Sequence, residues 1–271
     1  PGDALAVATA PGHIAFLADG WGGLRIVDIA DPRAPAEVGW LPMTALDVAV
    51  PESGPYVIVA AGDDGVVVVD AADPAAPGIA AAYVTELGTP VAVAVAGDVA
   101  YVSLEGGDIV TLDISTPSSP KLLGTHAGTR PIHGCGGSPD PASDLAAHLS
   151  ITGGRAYAAA RENGLRVLDV TTPGAPIEIG SYASIFTCAL DVRIAGDRAY
   201  VAADRDGLRV LGWGGDRALQ ELGAVTGITA TMLAVGEGTV YAADSRALWI
   251  VDVHDPESPA LVGSLEPFGR W

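Results

Sequence analysis

The segment GLRIVDIADPRAPAEVG, starting at Gly23, recurs along the chain. It returns as GVVVVDAADPAAPGIA from Gly65, DIVTLDISTPSSPKLLG from Asp108, GLRVLDVTTPGAPIEIG from Gly164 and IVDVHDPESPALVG from Ile250. A worn copy, GLRVLGWGGDRALQELG, starts at Gly207. A recurring unit of this length is one supersecondary element stacked on copies of itself, because a single copy cannot bury its apolar faces alone. The aspartate closing each apolar run sets the register: Asp28, Asp70, Asp113, Asp169 and Asp252, with Gly212 in its place in the fifth unit. The steps are 42, 43, 56, 43 and 40 residues, so the long one carries an insertion, placed at 127–144. The repeats and this insertion nearly exhaust the 271 residues, which predicts one domain over 1–271. Its six units span about 3–41, 45–83, 90–126, 145–182, 189–225 and 231–265.

Each unit reads as four short strands. An apolar run such as ALDVAV (45–50) or ALDVRI (189–194) opens it, and a tight turn leads to a second run such as RAYVAAD. A Gly- and Asp-rich turn precedes the third run, and a Pro-bracketed turn precedes a short fourth run such as AEVGWL. Val, Ile and Tyr dominate, as pleated buried strands prefer, and no stretch holds a helical period over a usual helix length. VVVVD at 66–70 is apolar on both faces. A sheet with one wet face would alternate, whereas a sheet sandwiched between two neighbours would not. Four strands in 40–45 residues, packed on both faces, predict an all-β fold: a six-bladed β-propeller with four antiparallel strands per blade. In turns such as Asp31-Pro32 and Asp73-Pro74, proline presets φ and the aspartate side chain can bond the backbone two residues on. The second proline, as at Pro35 and Pro77, blunts the edge of the outermost strand.

The unit GLRIVDIADPRAP, preceded by runs such as AYVAAD (199–204), resembles the LVIVD repeat family of bacterial and archaeal β-propeller proteins. The resemblance spans essentially the whole chain and implies a propeller that is secreted or on the cell surface. The family has no agreed catalytic motif, so no catalytic residue is carried over. The fifth unit departs from the pattern, with Gly212 for the aspartate and GWGGD for the Pro turn, which puts its outer edge in doubt but not the fold.

Formal charge is −19, with 33 acidic against 14 basic residues and a single lysine, Lys121. A nucleic-acid binder needs a basic footprint, and this chain has none. An anionic membrane surface is disfavoured on the same ground. The acidity reads as solubility or as a preference for cations and cationic partners. No run reaches the length of a transmembrane helix, so no membrane insertion is expected, and the abrupt start at Pro1 suits a processed or trimmed domain. Cys135 and Cys188 lie in connections that a propeller places on one face. They are expected to pair in a disulfide, which would mark an oxidising extracellular, cell-surface or periplasmic setting; the alternative is two unrelated thiols.

In a propeller, connections from strand two to three and from strand four to the next strand one share a face, and the central channel opens there. The first set is acidic: Asp19, Asp63, Asp64, Glu105, Glu162, Asp204, Asp206 and Asp244. Such a ring could supply the oxygens of a Ca²⁺ site, with Asp19, Glu105, Asp204 and Asp244 as candidate ligands, or these acids are turn formers. The insertion region carries His126, His133 and His148 with Asp140 and Asp144. Imidazoles beside a carboxylate suit zinc, although the spacing matches no known metal motif; the alternative is polar loop or channel residues. His148 is expected in the opening strand of unit four, facing the channel, and His133, His148 and Asp144 are the weak catalytic candidates, a His–Asp acid/base pair among them. Trp40, Met43, Tyr83, Ile185 and Phe186 are read as apolar loop residues of a binding face, or as seals between blades. Trp21, Trp213 and Trp249 are read as packing.

Together these readings favour a secreted or cell-surface propeller that binds or assembles with a protein or other ligand through its mouth face, without catalysis. The alternative is a metal-dependent hydrolase or lyase at the channel mouth, using Ca or Zn.

Overall fold

The computed structural model describes residues 2–105, 107–128, 148–161, 163–182, 188–214 and 219–265. The repeat becomes six four-stranded antiparallel sheets, each a meander in chain order. These are the blades of a β-propeller, as the repeat predicts. The chain divides into two compact units: residues 1–130 with 170–176, and residues 131–169 with 177–271.

In unit 1 the first blade holds β1 (Ala6–Ala10), β2 (Ile14–Ala18), β3 (Leu24–Asp28) and β4 (Ala36–Leu41). The second holds β5 (Asp47–Ala49), β6 (Tyr56–Ala60), β7 (Val66–Asp70) and β8 (Gly78–Tyr83). The third holds β9 (Pro90–Ala96), β10 (Val99–Leu104), β11 (Ile109–Asp113) and β12 (Lys121–His126). In unit 2 the fourth blade holds β13 (Leu149–Thr152), β14 (Arg155–Ala159), β15 (Leu165–Asp169) and β16 (Ile177–Tyr182). The fifth holds β17 (Asp191–Ala195), β18 (Arg198–Ala202), β19 (Leu208–Trp213) and β20 (Leu219–Val225). The sixth holds β21 (Met232–Gly236), β22 (Thr239–Ala243), β23 (Leu248–Asp252) and β24 (Ala260–Leu265). Among the described residues the helical content is one 3₁₀ turn, Gly62–Asp64, and no helix is long and apolar enough to cross a membrane.

The doubly apolar strands are explained by where alternate side chains go. In β7, Val67 and Val69 pack with Phe16, Leu24 and Ile26 of the first blade. Val66 and Val68 pack with Val93, Val102 and Leu112 of the third. Unit 2 repeats the split: Leu208 and Val210 of β19 join Val240 and Val251 of the sixth blade, while Leu211 joins Tyr157, Leu165 and Val167 of the fourth. Period-2 geometry sends successive side chains to opposite faces, and here each face meets a neighbouring blade rather than water.

The third and fourth strands of every blade share an irregularity. The register shifts between Ile26 and Val27, Val68 and Val69, Thr111 and Leu112, Val167 and Leu168, Val210 and Leu211, and Ile250 and Val251. In the first blade Ile26 pairs with Gly39 and Val27 with Glu37, so Val38 is the extra residue of a bulge. The glycine beside it lets the next blade's Pro turn approach. A Cβ on Gly39 would lie 2.0 Å from the Pro74 carbonyl oxygen, and one on Gly223 would lie 2.5 Å from that of Pro256. The repeated glycine of EVGW and ELGA is thus a blade-packing residue.

The turn chemistry follows the sequence reading. Asp31 Oδ1 accepts from Arg33 N at 2.9 Å, and Asp73 and Asp255 accept from Ala75 N and Glu257 N at 3.0 Å. The register aspartates do the same one turn earlier: Asp28 to Ala30, Asp70 to Ala72, Asp113 to Ser115 and Asp252 to His254. At Asp113, bonds from the Ser115 hydroxyl and N–H hold the carboxyl below its usual range. At Asp252, the His254 N–H and imidazole do so. The worn fifth unit keeps its outer strand. β19 and β20 pair from Leu208↔Val225 to Trp213↔Leu219, so the loss of the aspartate and the Pro turn leaves its described outer edge intact.

Candidate functional site

The turns between second and third strands and the connections between blades meet at one end of unit 1. Gly20 and Ala45 exchange backbone hydrogen bonds at 2.9 Å, tying the first of these turns to the connection entering the second blade. Glu105 N donates to Thr89 O at 2.8 Å in the third blade. The first turn is Asp19-Gly20-Trp21-Gly22-Gly23. Gly20 and Gly23 have φ of 55° and 91°, conformations that suit glycine. Asp19 is buried, and its Oδ2 takes Arg25 Nε at 2.6 Å. That guanidinium also reaches Glu37 at 2.9 Å, and the two carboxylates push its pKa further up. Trp40 Nε1 donates to the Gly22 carbonyl at 2.7 Å. The turn is therefore pinned on both sides, and it presents Trp21 with 87 % of its surface exposed.

Trp21 corrects its reading as a packing residue. The other two tryptophans fit that reading: Trp249 is buried, and Trp213 packs under Arg155, whose guanidinium carbon lies 4.8 Å from the ring centroid. Sequence alone could have flagged Trp21, because glycines on both sides leave it no side-chain neighbours within its own turn. Trp40 and Tyr83 also need correcting, since they lie in strands β4 and β8 rather than in loops. Trp40 is 49 % exposed. Met43 and Tyr83 pack against the cores between blades, the sealing role weighed for them from sequence. Ile185 and Phe186 lie outside the described residues.

Around Trp21 this end of unit 1 is acidic. Asp63, Asp64, Glu86 and Glu105 are exposed in its turns and connections, and the described turn and connection segments 19–23, 42–46, 61–65, 84–89, 105, 107–108 and 127–128 contain no Lys or Arg. Of the expected metal ring, Glu162 lies outside the described residues, and Asp19 and Asp244 have local roles. Asp19 is held by Arg25, and Asp244 Oδ1 accepts from Arg246 N and Ala247 N at 2.7 and 2.9 Å as a turn former. Asp204, at φ 50°, exchanges backbone bonds with Ala230. Among the described residues, no three His, Cys, Asp or Glu gather into a set that could hold a metal ion. His126 ends β12, in register with Ile109. His133, Asp144 and Cys135 lie outside the described residues. His148 precedes β13, with its Nδ1 3.7 Å from Asp191 Oδ1.

The class defined by this architecture is a six-bladed β-propeller. The chain belongs to the LVIVD repeat family, whose model matches residues 1–41, 44–85, 88–127, 145–184 and 229–266. The segment left unmatched after the fourth repeat is the one holding the worn fifth unit. No curated protein matches the chain. Among solved structures it is similar to the computationally designed Ika8 protein, with 14% identity, TM-score 0.64 and coverage of 97% of this chain and 87% of that one. It is also similar to the Cps50 (Swd1) β-propeller domain of Myceliophteria thermophila, with 15% identity, TM-score 0.65 and coverage of 98% and 86%. At such identities the likeness speaks for the fold alone.

Proposed function

We propose that this propeller is an extracytoplasmic, non-catalytic binding or assembly module that takes its partner on the end of unit 1 that carries Trp21. The observation that carries the reading is the 87 % exposure of Trp21 on a turn braced by Arg25 and Trp40. A large aromatic held rigidly in solvent loses little conformational entropy on binding and gains much burial, which is why tryptophan is over-represented among the anchor residues of interfaces. The acids at this end of unit 1, with no Lys or Arg in its described turns and connections, favour a partner with a basic surface. The test is capture from the surface fraction of the source cells on immobilised protein. A partner retained by the native chain and lost by Trp21→Ala, with the thermal midpoint unchanged, supports the reading. Equal retention by both removes this face from consideration.

The Cys135–Cys188 disulfide belongs to the same reading. No described cysteine is a free thiol, and a bridge would suit an oxidising compartment. Alkylation under native redox conditions should add no label before reduction and two labels after it. Labelling of both thiols without reduction would place the chain in a reducing setting instead.

A further inference from the structure

The first strand of the fifth blade carries a charged cluster that the loop-end reading does not use. Asp191 opens β17 with its side chain 0% exposed. Its Oδ2 accepts from Leu233 N of the sixth blade at 2.7 Å and lies 3.3 Å from Arg193 Nη2. Arg193 Nε donates to the Leu233 carbonyl at 3.1 Å. Asp191 Oδ1 is buried without a hydrogen-bond partner, and His148 Nδ1 lies 3.7 Å from it. A buried carboxylate oxygen without a donor is costly. Nδ1 is the imidazole nitrogen that faces this oxygen, from beyond hydrogen-bond length, which leaves Nε2 on the far edge of the ring.

What solvent meets at this cluster is not the acid. The Arg193 side chain is 40% exposed and that of His148 is 13% exposed, against 0% for Asp191. Arg193 is also the sole Lys or Arg in the first strands of the six blades, β1, β5, β9, β13, β17 and β21. No partner among the described residues holds its Nη1, while Nε and Nη2 are anchored. We propose that His148 and Arg193, both oriented by the buried Asp191, form a binding site for a small oxyanion, a carboxylate or a phosphate. The guanidinium supplies charge-assisted bonds to one or two of its oxygens. The imidazole faces Asp191 through Nδ1, and its Nε2–H is the donor edge for another oxygen.

The test is titration of the native protein with sodium acetate and with inorganic phosphate, against sodium chloride at matched ionic strength. The readouts are calorimetry and the nitrogen resonances of the His148 ring, assigned by their loss in His148→Gln. Saturable binding of either oxyanion with movement of the His148 resonances is expected. Acetate alone would identify the ligand as a carboxylate, and phosphate alone as a phosphate. Arg193→Gln should weaken binding about tenfold or more, the effect of losing one charge-assisted bond. Arg33→Gln, which alters an exposed turn of the first blade, should not. If Arg193→Gln fails to fold, the resonances of the native protein decide. A response to both oxyanions no different from chloride, or equal binding by Arg193→Gln, overturns the proposal.

Discussion

Asp47 in the second blade and Asp191 in the fifth occupy the same repeat position, each after Ala-Leu and each opposite an alanine of the second strand, Ala60 and Ala202. Both staple their first strand to the next blade, through Val93 N at 2.9 Å and Leu233 N at 2.7 Å. They differ in the other oxygen. Asp47 Oδ1 accepts from Val48 N at 2.8 Å. Asp191 Oδ1 has no such bond and faces His148, while Arg193 stands beside Oδ2. The same scaffold residue has a backbone donor at each oxygen in one blade and at one oxygen alone in the other. The fifth-blade copy keeps the staple and has Arg193 and His148 beside it.

Substitutions at the two aspartates would break this comparison most directly. Asp47→Ala leaves the buried Val48 and Val93 N–H groups without the acceptor shown for them and should cost about 2–4 kcal/mol by urea denaturation. Asp47→Asn should cost about 1–3 kcal/mol, because its amide must face an N–H donor at one of the two oxygens. Asp191→Asn should cost under about 1 kcal/mol. Its oxygen can keep Leu233 N while its amide donates towards His148, at the expense of the Arg193 ion pair. Equal losses for the two Asn variants would show that both aspartates are plain staples.

Two smaller effects sharpen the contrast between units through pH. Asp113 in unit 1 and Asp252 in unit 2 both have carboxyls held below their usual range by turn hydrogen bonds. A lowered folded-state pKa gives stability that is present above the unfolded value, about 3.9, and lost as pH falls through the folded one. Thermal midpoints should therefore stay level down to about pH 5 and fall below about pH 4, with a shallower fall in Asp113→Asn and Asp252→Asn. At the alkaline end, burial and then the hydrogen bond to Glu221 push the Tyr182 phenol up to about 12. A raised pKa gives stability present below the unfolded value of about 10 and lost as pH rises through the folded one. Absorbance titration should show a late-ionising tyrosine, beside Tyr101 and Tyr200 whose phenols burial also raises, that is missing in Tyr182→Phe; its ionisation with the exposed tyrosines would contradict the Glu221 contact.

Much of the fold was legible because its signals are local. VVVVD announced two buried faces, and the Asp-Pro turns form the side-chain bonds that their residues imply. The outer-strand glycine was visible in every quoted copy except the second. Its role was not, because the Pro74 carbonyl that crowds Gly39 lies in the next blade. The candidate site was less legible. Trp21 looked like the other tryptophans, and exposure is decided by which neighbours a turn lacks. ALDVRI was read as a strand, without the sense that its aspartate would be sealed and its arginine left half in solvent. His148 was expected to face inward on its opening strand. The structure gives it Asp191 as a neighbour, a residue 43 positions away in the sequence.

The sequence by itself determined the repeat length, the blade count, the register and the turn chemistry, because strand period and backbone-bonding side chains act over a few residues. Only the tertiary structure decided which copies of a repeated position are spent on the scaffold and which are left open. That choice rests on the oxygen the staple leaves over: the next blade's Val93 N or Leu233 N serves one oxygen at both positions, whereas the other takes Val48 N of its own strand at Asp47 and faces an imidazole 3.7 Å away at Asp191.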